Sequence, residues 1–287
     1  MPELPEVETV RRGLKPVLEG ARLVHVLARR PDLRFALPED FKARLEGATV
    51  TALERRAKYL LARLDTGETL VMHLGMTGRF DIEAGGAMSR PGVFVHPAAT
   101  GAKHAHVVID TDAGARITYS DPRRFGFMGL VPTNRLEEHA WFKGMGPEPL
   151  GPQFDAAVLA EALAGRSQAI KTLLLDQRIV AGLGNIYVCE ALNRSRISPF
   201  KAGGKVSKAK LATLVEAIRL VLEEAIEAGG STLRDFAATD GALGYFQHRF
   251  RVYGREDEPC LTPGCRGVIG RKVQGGRSTF YCPVCQT

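Results

Sequence analysis

The chain has 287 residues, 45% of them hydrophobic, which is enough to bury two cores and a small appendage. Lysine and arginine number 39 against 32 acidic residues, a net charge of +7 that favours a polyanionic partner, nucleic acid before membrane. No apolar run approaches the roughly 18 residues of a membrane span. The acidic, proline-rich start is unlike a signal peptide, and a cytoplasmic protein is expected. Five cysteines in a reducing compartment argue against a disulfide scaffold, and four of them fall in the last 28 residues.

The chain opens Met1-Pro2-Glu3-Leu4-Pro5-Glu6-Val7-Glu8. Removal of Met1 would leave Pro2 with a secondary amine on a rigid ring. Such an amine titrates near ~8, so part of it is unprotonated and nucleophilic at neutral pH. Attack on an aldehyde-level carbon gives an iminium, with Glu3 next door to move protons. A plainer reading is that these residues only open a helix: Pro5 suits a first turn, Glu6 and Glu8 suit its positive end. Val7, Val10, Leu14 and Val17 then make one apolar face. The two readings are compatible, since such a helix aims its own N-terminus.

Short strand-like runs follow: Leu23 to Leu27, Thr49 to Leu53, Lys58 to Leu64 and, after an Asp65–Glu68 turn, Thr69 to His73. His106 to Ile109 and Arg116 to Tyr119 read as a second hairpin, and Gly126 to Val131 closes a set that suggests a β-sandwich. Residues 81–104, rich in Gly, Ala and Pro, read as a long surface loop. Asp121-Pro122-Arg123-Arg124-Phe125-Gly126 puts two guanidiniums beside an aromatic ring on a turn. That suits phosphate contact with insertion or stacking among bases, or else a solvated turn.

Residues 144–153 form a glycine- and proline-rich linker. Four domain segments are expected: a catalytic β-sandwich at 1–143, the linker, a helical domain at 154–248 and a terminal ribbon at 249–287. Asp155 opens a helix with Val158, Leu159, Ala162 and Leu163 inside. Ala169 to Leu175 and Ile186 to Leu192 are two more, and Ser207 caps a fourth running to Ala228 with Leu211, Leu214, Val215, Ile218, Leu222 and Ile226 inside. The Gly182-Leu183-Gly184-Asn185 turn could hold a phosphate at the following helix start, or be an ordinary corner between helices.

Cys260-x4-Cys265 and Cys282-x2-Cys285 flank a 16-residue run in which Val268-Ile269 and Thr279-Phe280-Tyr281 look like strands. This is the ligand count of a four-cysteine ribbon around one structural Zn2+, with four clustered free thiols as the alternative. Cys189 stands apart as a buried small residue.

Taken together, Pro2 to Glu8, Ala57-Lys58-Tyr59-Leu60, His73-Leu74-Gly75-Met76-Thr77-Gly78, Asp121 to Gly126, Gly184-Asn185-Ile186-Tyr187 and the terminal cysteines resemble the formamidopyrimidine-DNA glycosylase family over essentially the whole chain. The first cysteine pair departs from the family's usual x2 spacing, and the 81–104 segment looks longer than usual. The resemblance implies an α+β fold: a β-sandwich, a helix–two-turns–helix domain and a zinc ribbon. It implies a monomeric bacterial enzyme on duplex DNA that excises oxidised purines and cuts the strand on both sides of the lesion.

Site roles follow from the resemblance in the same way. Pro2 is the implied nucleophile and Glu3 the acid for the sugar ring oxygen, with Lys58 beside the phosphates and the sugar. Glu6 and His73 are supporting or backbone-contact groups. Asn185, Arg124 and Arg277 grip phosphates, while Met76, Arg123 and Phe125 fill the hole left by the flipped nucleotide. Thr239 to Phe246, including Gly241, Gly244 and Tyr245, resembles the loop that closes over the extruded base. Two rivals are a zinc-ribbon DNA-binding protein without catalysis and the sister glycosylase endonuclease VIII, whose start tends to read Pro-Glu-Gly-Pro-Glu. Leu4 and the Arg123–Phe125 turn favour the purine branch.

Overall fold

The computed structural model describes residues 2–92, 102–231 and 246–287. The chain forms two compact units, Met1–Lys143 with Ala228–Tyr245, and Gly144–Glu227 with Phe246–Thr287.

The first unit starts with helix α1, Leu4–Leu18, with proline in its opening turn. The strands that follow are β1 (Leu23–Ala28), β2 (Val50–Arg56), β3 (Tyr59–Leu64), β4 (Glu68–His73), β5 (Arg79–Ala84), β6 (Ala87–Ser89), β7 (Ala105–Thr111), β8 (Arg116–Ser120) and β9 (Phe127–Pro132), with a short helix α2 (Phe41–Leu45) after β1. They pair antiparallel into a five-stranded sheet, β1-β7-β8-β5-β6, and a four-stranded one, β2-β3-β4-β9. Val26, Phe80, Ile109 and Ile117 of one sheet, Leu53, Leu60, Leu70 and Met72 of the other, and Val7, Val10 and Leu14 of α1 share one buried core. In β3, β4, β5, β7 and β8 alternate residues face that core, as in a β-sandwich.

The reading of residues 81–104 as a loop is corrected. Its first part is β-hairpin: β5 and β6 pair with Ile82 opposite Ser89, and Gly85 and Gly86 both take positive φ at the turn. Buried Phe80 and Ile82 alternate with polar neighbours, a period-two signal masked by the Gly/Ala composition around it. A 3-10 turn, Ala102–His104, leads into β7.

In the second unit, α3 (Ala156–Leu163), α4 (Ile170–Leu174), α5 (Asn185–Arg194) and α6 (Lys208–Glu227) precede a terminal hairpin of β10 (Gly270–Gln274) and β11 (Arg277–Tyr281). The Asp155 carboxylate accepts the Val158 amide at 2.8 Å, an N-cap that satisfies one orphan donor. The expected inner face of α3 is narrower than predicted: Leu159 and Leu163 are buried, whereas Val158 is 37% exposed. Ser207 Oγ accepts the Lys210 amide at the head of α6, whose predicted inner residues are all buried. The first strand of the hairpin is also shifted. Val268 bridges Pro259 and Ile269 is buried with the cysteines, so β10 begins only at Gly270.

The hairpin and the segment before it are tied to the helices by buried polar groups. Lys171 on α4, only 1% exposed, donates from Nζ to the Ser278 carbonyl (3.1 Å) and the Thr279 hydroxyl (2.7 Å). Unmet, such a buried ammonium would be strongly destabilising. Glu190 on α5 accepts three successive amides, from Arg251, Val252 and Tyr253, at 2.9, 3.0 and 2.9 Å. Burial pushes its pKa upward against the pull of those three donors.

Candidate active site

Pro2 and Glu3 are buried at the head of α1. Glu6, one turn in, accepts the Glu3 amide at 2.9 Å, half of a capping box that fixes where the chain enters the helix. On the next turn, Glu8 binds Arg11 through two contacts (2.8 and 2.9 Å), Arg12 at 3.0 Å and Arg55 at 3.3 Å. Burial works to raise the Glu8 pKa, but its bonds and charge pairing with these arginines outweigh it and the net shift is downward. Arg55 also donates to the Ala57 carbonyl at 2.9 Å. Ala57 has φ +53, a left-handed conformation uncommon for alanine, and the next residue is buried Lys58. Helix α1 and the Lys58 turn therefore share one carboxylate–guanidinium bridge.

His73 ends β4 with its ring stacked on Phe127, centroids 5.2 Å apart and planes 14° apart. Its Nδ1 accepts the Gly75 amide at 3.0 Å, which leaves the proton of the neutral ring on Nε2 as a donor. Burial first, then the positive charges of Lys58 and Arg34, press its pKa down to about 4. At neutral pH it is an uncharged donor.

A cleft of about 640 Å³ is lined by Asp32, Leu33, Arg34, His73, Gly75, Met76, Arg123, Arg124 and Phe125. Arg123 lies over the Phe125 ring, 4.6 Å from its centroid, a cation–π contact that stiffens both side chains. Arg124, at φ +54, turns its guanidinium to within 3.8 Å of Asp32. Phe125 is 42% exposed, with the Arg123 guanidinium over its ring. Sequence reasoning missed Arg34 and Asp32. The signal was the Arg29-Arg30-Pro31-Asp32-Leu33-Arg34-Phe35 run, which interleaves basic and aromatic residues as the Arg123–Phe125 turn does.

The other expected phosphate ligands belong to the second unit. Asn185 opens α5, and its Nδ2 donates to the Ser278 carbonyl at 2.9 Å, next to exposed Arg277 at the start of β11. The four Sγ atoms of Cys260, Cys265, Cys282 and Cys285 lie within 4.8 Å of one another. The separations Cys260–Cys285 and Cys265–Cys282 are both 3.7 Å. A tetrahedron with metal–sulfur bonds of about 2.3 Å has edges of roughly that length, so the donor set fits a four-thiolate zinc site. Cys189 is buried in the same cluster. Thr239, Gly241, Gly244 and Tyr245 fall outside the described residues. No helix among the described residues is long and apolar enough to cross a membrane.

Three family models match in succession: the formamidopyrimidine-DNA glycosylase N-terminal domain over residues 1–128, the formamidopyrimidine-DNA glycosylase H2TH domain over 145–237, and the zinc finger found in FPG and IleRS over 257–287. The chain is 68% identical over 286 residues to a formamidopyrimidine-DNA glycosylase of Caulobacter vibrioides and 60% identical to one of Jannaschia sp., with all of each chain covered. Among solved structures it resembles the Lactococcus lactis Fpg in complex with abasic-site DNA, with a TM-score of 0.84, 33% identity and full coverage of both chains. It also resembles the MutM (Fpg) protein of Thermus thermophilus, with a TM-score of 0.82 and 39% identity over 99% of this chain and 98% of that one. A β-sandwich headed by Pro-Glu, an H2TH unit and a four-cysteine tail define a DNA glycosylase. The chain belongs to the formamidopyrimidine-DNA glycosylase family.

Proposed function

We propose that this enzyme removes oxidised purines, 8-oxoguanine and formamidopyrimidines, from duplex DNA and then cleaves the strand by β,δ-elimination. The observation that carries the reading is the buried Pro2-Glu3 pair at the head of α1, braced by Glu6, in the same compact unit as the basic, aromatic cleft. The Lactococcus lactis Fpg has been solved with abasic-site DNA and, as a mutant, with Fapy-dG DNA, which supports the substrate class.

With Met1 removed, the Pro2 nitrogen attacks the anomeric carbon of the damaged nucleotide. The N–C bond forms as the glycosidic bond breaks and the base leaves with the bonding pair. The departing base takes up the proton shed by the Pro2 nitrogen. Glu3 protonates the sugar ring oxygen, and the freed nitrogen lone pair expels that oxygen, which opens the ring and yields the iminium. The iminium acidifies the protons on the neighbouring sugar carbon, and successive eliminations expel the flanking phosphates. The target carbon is inaccessible within the stack, so the nucleotide must be flipped out at a cost of a few kcal/mol. Met76, Arg123 and Phe125 offset that cost by filling the vacancy. Lys58, His73, Arg124, Asn185 and Arg277 hold the backbone phosphates.

Zn2+ is the proposed metal of the four cysteines. Four thiolates leave no open coordination position, so its chemistry is to hold the ribbon folded. The domains assigned are 1–143 for catalysis, 154–248 and 249–287 for DNA binding, with 144–153 as linker, in a protein acting as a monomer. Borohydride trapping on an 8-oxoguanine duplex, followed by mass spectrometry of the cross-linked peptide, tests the reading. A covalent adduct on Pro2 is expected. DNA binding without any adduct would favour the non-catalytic rival, and trapping confined to oxidised pyrimidines would favour the endonuclease VIII-like one.

A further inference from the structure

Two segments meet backbone to backbone at the cleft. One is the turn after β4, residues 74–78, which carries Met76; the other is 121–126, which carries Arg123 and Phe125. A Cβ on Gly75 would lie 2.3 Å from both the Gly126 nitrogen and the Phe125 carbonyl carbon. One on Gly126 would lie 2.6 Å from the His73 carbonyl oxygen, and one on Gly78 would lie 2.4 Å from the Tyr119 hydroxyl. The Gly75 approach leaves no room for a side chain between the segments, and Gly126 and Gly78 are closed in at their edges by His73 and Tyr119.

Thr77 supplies the polar connection. Its hydroxyl donates to Asp121 Oδ1 and accepts the Arg123 amide at 3.2 Å. Asp121 is fully buried, and its Oδ2 accepts the Gly126 amide at 2.7 Å and the Tyr119 hydroxyl at 3.4 Å. The Asp121 carbonyl bonds His106 Nε2 at 2.9 Å and accepts the Arg124 amide at 3.2 Å. Thr77 thus belongs to the Met76 turn by covalent connection and to the Arg123 turn by two hydrogen bonds. Both of its bonding partners sit in the segment that presents the guanidinium.

We propose that Thr77 is a positioning residue that joins Met76, Arg123 and Phe125 into one rigid insertion element and so sets selectivity for the base opposite the lesion. The proposal rests on the functional reading above, in which these three side chains occupy the vacated space. Three side chains on independent turns would each be ordered at the moment of insertion; a pre-locked pair of turns has met that entropy on folding. A guanidinium displaced by about 1 Å no longer meets two acceptors together, and errors of that size cost on the order of 100-fold in rate.

Thr77→Val exchanges the hydroxyl for a methyl of similar size, leaving Asp121 Oδ1 and the Arg123 amide without this partner; Thr77→Ser keeps it. The experiment is single-turnover excision of 8-oxoguanine opposite cytosine and opposite adenine by the full-length, zinc-loaded protein. Thr77→Val should narrow the cytosine-over-adenine ratio about tenfold, and Thr77→Ser should restore most of it. Thermal melting checks the fold, and Thr77→Ala, which leaves space for a water, serves with the same expectation if the valine protein does not fold. A wild type that excises on neither duplex defeats the functional reading itself. A wild type that excises without preference, a Thr77→Val protein that discriminates as wild type does, or a Thr77→Ser protein as impaired as Thr77→Val overturns this inference alone.

Discussion

Glu6 and Ser231, 225 positions apart in sequence, are joined by two hydrogen bonds: Glu6 Oε1 accepts the Ser231 amide at 2.8 Å and its hydroxyl at 2.9 Å. The other oxygen accepts the Glu3 amide. One buried carboxylate therefore fixes both the head of α1 and the distant Ser231 backbone. Glu6→Gln cannot do both, because its amide nitrogen must confront one of the two backbone donors. The expected result is roughly 1–3 kcal/mol of lost stability and slower borohydride trapping at an abasic site. A glutamine protein that melts and traps as wild type does would show that Glu6 is not a brace.

Glu3→Gln should lose removal of 8-oxoguanine yet keep much of the cleavage at pre-formed abasic sites. An abasic sugar already opens to an aldehyde, so attack by Pro2 there needs no acid on the ring oxygen. Single-turnover rates on the two substrates separate the cases. Equal loss on both would mean that Glu3 serves to hold Pro2 in place.

What could be read from sequence divides along a physical line. The sandwich, the helices and the four cysteines were legible because each depends on local periodicity or spacing, as in the β3–β4 hairpin around Asp65 to Glu68. The Glu6–Ser231, Glu190–Val252 and Lys171–Thr279 bonds were not, since nothing local tells a buried charge from an exposed one. Arg34 escaped for the same reason: its place beside His73 depends on the chain returning to β4. The β5–β6 hairpin failed differently, with a true alternation hidden in loop-like composition.

The His73 shift makes a stability prediction. Its pKa falls from 6.5 in the unfolded chain to about 4 in the fold, so between those values the unfolded state binds a proton that the folded state does not. Stability from this group is complete above pH 6.5 and is lost as pH falls towards 4, in total on the order of 3 kcal/mol. Urea titrations of wild type and His73→Gln at pH 7 and pH 4.5 measure it. The variant should show the smaller acid loss; an equal loss in both would assign acid sensitivity to other groups, such as Glu8.

Cys282→Ser should release the metal and weaken DNA binding, because Arg277 is presented by a hairpin that the thiolate cluster holds together. Metal content by a colorimetric chelator and Kd on an abasic-analogue duplex test both halves. Wild-type binding should also fall with salt, by roughly one log unit per log unit of salt for each phosphate neutralised. Tight binding by a metal-free variant would separate the ribbon from DNA recognition.

The last prediction concerns the base opposite the lesion. Arg123 carries a planar fork of donors and no acceptor, and its contact with Phe125 holds that fork at the cleft. Cytosine offers two acceptors on its pairing edge, O2 and N3, which the fork can meet together. Adenine offers one acceptor beside an amino donor, which sets donor against donor. A good bidentate pair discriminates by about 1–3 kcal/mol, or roughly tenfold to a hundredfold. The preference has a use: 8-oxoguanine opposite adenine is a copying error, and excising the oxidised base there would fix a mutation. Arg123→Ala should slow excision on both duplexes and narrow the gap between cytosine- and adenine-paired substrates. The check is single-turnover excision on each, wild type beside variant. A variant slowed by the same factor on both would make Arg123 a wedge alone, with selection of the opposite base made by other groups lining the cleft.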